Sequence, residues 1–183
     1  MRIISGKARG TKLETLNGMN TRPTLDRVKE SLFNIIQKEI NNCVFMDLFA
    51  GSASIGLEAA SRGAQKVILC DKSKEAINII KKNIQKTHFN DITELYNMDF
   101  KQLLSAKIKQ KVDIVYIDPP YESNYAVESI NLLLDNNIVD ENSIIIVETD
   151  NEEKILNEIK DINVKVKDKR KYGRAQILFL AKI

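Results

Sequence analysis

The feature that most constrains this chain is an alternation that begins after Asn41-Asn42. Short apolar runs at 43–49 (CVFMDLF), 66–71 (KVILCD), 92–96 (ITELY), 112–118 (VDIVYID) and 143–148 (SIIIVE) are separated by helix-like stretches near 53–62, 73–86, 99–108, 124–135 and 151–160. Strands joined through helices need crossover connections, and crossovers build a mainly parallel sheet. The near-continuous runs VILC and IIIV fit strands covered on both faces. Two last runs, 162–166 and 175–181, read as a hairpin joined by KDKRKYGR. The expected fold class is therefore α/β: a doubly wound, mainly parallel seven-stranded sheet whose last strand enters antiparallel.

Ahead of this core, residues 2–4 and 11–15 read as short strands around the turn SGKARG. The segment TRPTLDRVKESLFNIIQKEI reads as a helix capped by Thr24, with Leu25, Val28, Leu32, Ile35 and Ile36 on one face. No repeat, linker or composition break divides the chain. A single domain over 1–183 is expected, with a hairpin-and-helix extension over 1–41 on a core over 42–183.

Composition excludes several classes. With 183 residues, 43% hydrophobic and 29% charged, the chain has enough apolar surface for one core and is not a disordered tail. No apolar run approaches the roughly 18 residues that span a bilayer, and MRIISGKARG lacks the apolar stretch of a signal peptide. A cytoplasmic protein without membrane contact is expected. Cys43 and Cys70 sit in apolar runs and read as small buried hydrophobes. His88 is the one histidine, so no metal site is expected. The net charge of +3 is unevenly placed: residues 1–31 hold seven basic groups against Glu14, Asp26 and Glu30. A second basic cluster runs from Lys165 to Arg174 with Asp168 opposing it. Such patches attract phosphate backbones, although lysines also guard an edge strand.

Open sheets of this kind bind ligands at the carboxyl ends of their strands, where strand order reverses, so chemistry belongs after the first and fourth core strands. After the first come Asp47-Leu48-Phe49-Ala50-Gly51-Ser52-Ala53-Ser54-Ile55-Gly56, a glycine turn entering a helix. Asp71 ends the second strand, where a carboxylate suits ribose hydroxyls. This pair fits a nicotinamide cofactor or an adenosyl-sulfonium one. Asp47 would repel a pyrophosphate and suits an ammonium group. After the fourth strand stands Asp118-Pro119-Pro120-Tyr121. Each proline holds its predecessor extended, and Pro120 has no N–H with which to begin a helix. A carboxylate and a carbonyl are thereby held in fixed relation beside an aromatic ring. The exocyclic amine of a nucleobase needs two such acceptors, and Tyr121 offers a face for stacking, worth about 1–3 kcal/mol.

The DLFAGSxxxG loop with DPPY resembles class I S-adenosylmethionine-dependent amino-methyltransferases, which have a Rossmann-like core. More narrowly, RIISGKARGTKL and RPTLDRVKESLFNII resemble the bacterial 16S rRNA guanine-N2 methyltransferases, which modify the guanine conventionally numbered 966. The resemblance spans nearly the whole chain and is strongest over 2–36, 46–64 and 117–121. It implies S-adenosylmethionine as cofactor, with Asp47, Gly51 and Gly56 along its methionine and ribose. It implies Asp71 on the ribose hydroxyls, Asp99 on the adenine amino group with Phe100 against the ring, and Arg22, Pro23 and Thr24 in a segment closing over the cofactor. Asp118 and the Pro119 carbonyl would orient the guanine N2 for in-line attack. Asp99 reads equally as a helix N-cap, and Ala53 stands where the family usually has Gly.

A guanine N2 inside a paired helix is closed to in-line attack, so the target must be unpaired or flipped. The core leaves too few residues for a base-reading domain. Recognition by the shape of the small ribosomal subunit or its assembly intermediate is expected, with Arg2, Lys7, Arg9 and Lys12 on phosphates. A monomer is expected, although the periodicity shows no apolar surface stripe from which oligomeric state could be read. Three other readings remain: an adenine-N6 methyltransferase, a nicotinamide-dependent oxidoreductase and a non-catalytic RNA-binding assembly factor.

Overall fold

Every apolar run of the alternating region becomes a strand of one seven-stranded sheet in the computed structural model, which describes residues 1–16, 23–120 and 123–183. The strands are β1 (Val44–Asp47), β2 (Lys66–Asp71), β3 (Thr93–Asn97), β4 (Ile114–Ile117), β5 (Ile144–Thr149), β6 (Val164–Tyr172) and β7 (Ala175–Lys182). Their order is β3-β2-β1-β4-β5-β7-β6, and β7 alone runs antiparallel to its neighbours β5 and β6. The helices are α1 (Pro23–Ile35), α2 (Ser54–Ser61), α3 (Lys74–Thr87), α4 (Phe100–Gln102), α5 (Tyr125–Asp135) and α6 (Glu152–Glu158).

Strand periodicity divides the core in two. Phe45, Val67, Leu69, Ile114, Ile146 and Ile177 face α1, α2 and α3. Met46, Ile68, Cys70, Val115, Val147 and Leu178 face α4, α5 and α6. Neighbouring positions thus alternate between two covered faces, which is why β2, β4 and β5 are apolar at nearly every residue. The switch point lies between β1 and β4, whose flanking strands wind away in opposite directions. Cys43 and Cys70 are buried as expected, and burial pushes both thiols up to about 12.

Four expectations are corrected, the last at the N-terminus. The helix expected to be capped by Thr24 already includes Pro23, so Thr24 is its second residue. Proline is well suited to a first turn because its missing N–H would have no intrahelical partner there. The helix expected over 99–108 is a single α-turn capped by Asp99, followed by a π-helical turn over Leu103–Lys107. The closing hairpin is longer than expected: most of KDKRKYGR belongs to β6, and only Gly173 and Arg174 turn the chain, with Gly173 at φ 64°. β6 is an edge strand with a bulge between Val166 and Asp168, exposed on both faces, so no apolar alternation marks it. Its lysines and bulge discourage pairing with another sheet. Tyr172 lies at the end of that strand, where its hydroxyl hydrogen-bonds Ser31 of α1.

The N-terminal residues do not form two full strands. Arg2 and Lys12 make one antiparallel bridge, and the turn between them is held to the core by polar groups. Glu58 of α2, 0% exposed, accepts the N–H groups of Ile4 at 2.8 Å and Ser5 at 3.0 Å. The same carboxylate meets Lys29 of α1 at 3.3 Å and Arg62 at 2.8 Å. Ser61 accepts from Lys7 and Ala8 N–H and donates to the Ser5 carbonyl. Asn83 of α3, also fully buried, brackets the Glu14 backbone by accepting its N–H and donating to its carbonyl. Gly6 is required here, because a Cβ would stand 1.8 Å from the Ser61 carbonyl oxygen. No helix among the described residues is long and apolar enough to cross a membrane.

Candidate active site

The carboxyl ends of β1, β2 and β4 surround a cavity of about 540 Å³, within the usual range for small-molecule sites. Gly51, Asp71, Asp99, Phe100, Asp118, Pro119 and Pro120 all line it, so residues from four separate segments of the sequence meet at one place. The β1 loop begins with Leu48 donating to the Tyr116 carbonyl and Ala50 donating to the Cys70 carbonyl. Gly51 follows in the left-handed region at φ 57°. Its N–H donates to Asp71 Oδ2 at 2.9 Å, while Oδ1 accepts from Ser73 N–H at 2.8 Å. Open space lies where a Cβ of Gly51 would point, so the loop presents bare backbone to the cavity.

Two expected cofactor residues lie beneath this wall rather than on it. Gly56 packs α2 against β2: a Cβ there would come within 2.3 Å of Leu69 Cδ2. Asp47 is 2% exposed, and its Oδ1 has no described hydrogen-bond partner. Burial pushes its pKa up to about 7, against the N–H groups of Gly56 and Phe49, and Asp71 repels it further. Ala53 is fully buried at φ 60°, so its methyl group points into the core and not at a ligand. The exchange for Gly bears on backbone strain, of about 1–2 kcal/mol, rather than on ligand contact. Arg22 and Tyr121 lie outside the described residues, as does the Thr24 side chain.

Aromatic rings form the opposite wall. Phe100, buried behind the Asp99 cap, packs at 5.2 Å from both Phe49 and Tyr125. Asp99 Oδ1 accepts the Lys101 N–H at 2.9 Å, so the N-cap role is realised in a residue that also faces the cavity. Phe49 and Tyr125 escape a sequence reading because an aromatic beside a turn and one opening a helix carry no distinctive spacing.

Acidic groups dominate the site. Asp71, Asp99, Asp118 and Glu148 line the cavity against Lys72. Loss of water, then repulsion from Glu148 and Asp47, raises the Asp118 pKa well above the carboxylate range. Asp118 is exposed to the open cavity, so the desolvation acts in full only when the cavity is filled. Repulsion from the two neighbouring carboxylates likewise strengthens when water leaves the cavity. Glu148 is raised by burial and lowered by the Tyr116 hydroxyl that donates to its Oε2. Ile117 and Val147 are register partners, so Asp118 and Glu148 leave adjacent strands side by side. A cavity so lined rejects a pyrophosphate and attracts a cation. No described residue donates to the Pro119 carbonyl, which leaves it open beside Asp118. His88 is exposed at the end of α3, and no described cluster of His, Cys, Asp and Glu has the geometry of a metal site.

Comparison with known proteins agrees with this geometry. Residues 1–181 match the sequence family described as conserved hypothetical protein 95. The chain is 40% identical to ribosomal RNA small subunit methyltransferase D of Haemophilus influenzae, over 85% of this chain and 82% of that one. It is 35% identical to the protein of the same name from Escherichia coli, over 82% and 75% respectively. Among solved structures, a putative methyltransferase, yhhF, from Escherichia coli superposes with a TM-score of 0.85 at 30% identity, covering 100% of this chain and 98% of that one. The chain belongs to the ribosomal RNA small subunit methyltransferase D family.

Proposed function

We propose that this enzyme transfers a methyl group from S-adenosylmethionine to the exocyclic N2 amine of a guanine in 16S rRNA, the one conventionally numbered 966, on the small ribosomal subunit or an assembly intermediate. One observation carries the reading. The Asp118-Pro119-Pro120 segment, with Asp118 exposed and no described donor to the Pro119 carbonyl, lines an acidic cavity together with Gly51 and Asp71, which are hydrogen-bonded to each other.

The residues present fit this cofactor: the acidic lining, with the unfilled Oδ1 of Asp47 beneath it, suits a ligand that carries sulfonium and ammonium charges. Asp71 would accept the ribose hydroxyls, exchanging the Gly51 N–H for them. Asp99 would accept the adenine amino group, with Phe100 against the ring. Arg22 and Thr24 would belong to a segment closing over the bound cofactor. When bound, the cofactor supplies an activated methyl on a cationic sulfur.

The chain's own contribution is then orientation. Asp118 and the Pro119 carbonyl accept the two N–H groups of the amine, turning its lone pair out of conjugation and along the line of attack. Tyr121 stacks on the base. Positioning of this kind supplies much of the rate of a bimolecular transfer. No strong base is needed, because a methylated arylamine readily loses its proton to a carboxylate. Arg2, Lys7, Arg9 and Lys12 are exposed, and they would meet phosphates of the folded RNA. Among the described residues only Val166 and Ile183 are exposed large hydrophobics, which supports a monomer.

Labelled S-adenosylmethionine and small subunits from cells lacking this protein test the reading. N2-methylguanosine is the expected product, and D118A should lose about 10²–10³-fold in rate. N6-methyladenosine as product would overturn the substrate.

A further inference from the structure

Asp118 and Pro119 hold an amine, and guanine and adenine both carry one. The bases differ in what flanks it. Beside the guanine N2 stands N1, which carries a proton, and then N3, which carries a lone pair. Beside the adenine N6 stand N1 and, across C5, N7, both lone pairs. A second acceptor next to the amine site would therefore be complementary to guanine and repelled by adenine.

We propose that Glu148 is this second acceptor: its carboxylate takes the N1–H of the target guanine while Asp118 and Pro119 take the amine. The inference rests on the guanine reading above. Three independent features carry it. The register of β4 and β5 puts Glu148 directly beside Asp118, on the same face of the sheet as Tyr116. The buried Tyr116 hydroxyl donates to Glu148 Oε2, which fixes the carboxylate and favours its ionised form, while Oε1 accepts nothing from the described residues. Glu148 also lines, with Pro119 and Pro120, both the main cavity and an adjoining cleft of about 420 Å³. A flat base lying against the two prolines thus has its hydrogen-bonding edge next to both carboxylates. A site that leaves such a group unpaired against the wrong base rejects it strongly.

The proposal predicts a change of specificity in E148Q, whose amide can accept from guanine N1–H or rotate to donate to adenine N1. Wild type and E148Q are compared on small subunits from cells lacking the protein, in natural form and with the methylated guanine replaced by adenine. The wild-type product on natural subunits tests the guanine reading by itself. Calorimetry should show that E148Q still binds S-adenosylmethionine, and rates are compared at saturating cofactor. E148Q should methylate natural subunits at least tenfold more slowly. On adenine-bearing subunits it should yield N6-methyladenosine at least tenfold above the wild-type level. A wild-type rate on guanine, or an adenine product no higher than that of wild type, overturns the proposal. If E148Q fails to bind cofactor, Y116F carries the test: it should slow guanine methylation several-fold with cofactor affinity kept, and an unchanged rate overturns the proposal.

Discussion

Carboxylates on α2 and at the carboxyl ends of the neighbouring strands are held in opposite conditions. On the helix, Glu58 is wholly buried yet meets two cations and two backbone N–H groups, so every charge there is answered. At the strand ends, burial raises the pKa values of Asp47, Asp118 and Glu148, repulsion from Glu148 and Asp47 raises that of Asp118 further, and Asp47 Oδ1 is left without a partner. The first group joins three elements into one body. The second would be completed, on the proposed reading, by a cationic cofactor and a hydrogen-bonding base. A buried charge that is paired is costly to break; like charges gathered around a cavity mark a candidate ligand site.

The largest effect expected from this contrast is at Glu58. Replacing it with Ala would strand Lys29, whose pKa burial already depresses against the pull of Glu58, and would free the Ile4–Ser5 turn. Urea unfolding should report a loss of about 3–5 kcal/mol. A loss below about 1 kcal/mol would mean that the extension is held mainly by Ile3, Leu13 and Leu32.

At the strand ends the prediction concerns pH. The folded pKa of Asp47, about 7, lies above its unfolded value, so the folded state binds more protons between those limits. Stability of the ligand-free protein should therefore fall as pH rises, by on the order of 2 kcal/mol between pH 5 and 8 from this residue. D47N should flatten that slope. Binding of a cationic cofactor near pH 7 should lower the pKa and release protons, measurable by calorimetry in buffers of different ionisation enthalpy. Proton uptake would contradict the arrangement.

The smallest effect separates the basic residues of the extension. Met1 lines the cavity, and Arg2 beside it pairs with Asp26 at 3.6 Å and bridges to Lys12. Lys7 instead docks at Ser61, the far end of α2, roughly 12 Å away along an eight-residue helix. Reversing Arg2 and Lys12 should raise KM for small subunits about tenfold and make its salt dependence shallower by about one for each phosphate no longer neutralised. Reversing Lys7 and Arg9 should do less. Equal effects would show RNA following the whole hairpin, and none would remove the hairpin from the RNA surface.

Much of this was legible beforehand, for local reasons. The parallel core reads from β2, β4 and β5 because strands covered on both faces must be apolar throughout. The acceptor pair reads from Asp118-Pro119-Pro120 because proline restricts its neighbours whatever surrounds it. Only the start of β6 read as strand; its continuation over 167–172 did not, since a lysine-rich edge strand has no buried face and owes its conformation to pairing with β7. Glu58 left a trace, one acid within the small apolar helix SIGLEAAS, but nothing local names its partners.

The sequence by itself determined the α/β class, the order of elements, the glycine loop and the rigid segment that presents Asp118, because periodicity and backbone restriction act over a few residues. Only the tertiary structure decided that Asp47 and Gly56 support the cavity from beneath and that the N-terminal turn is held by Glu58, Ser61 and Asn83. Only it placed Glu148 beside Asp118. Those facts depend on which strand lies next to which, and that adjacency joins residues tens of positions apart through packing that no short stretch of chain encodes.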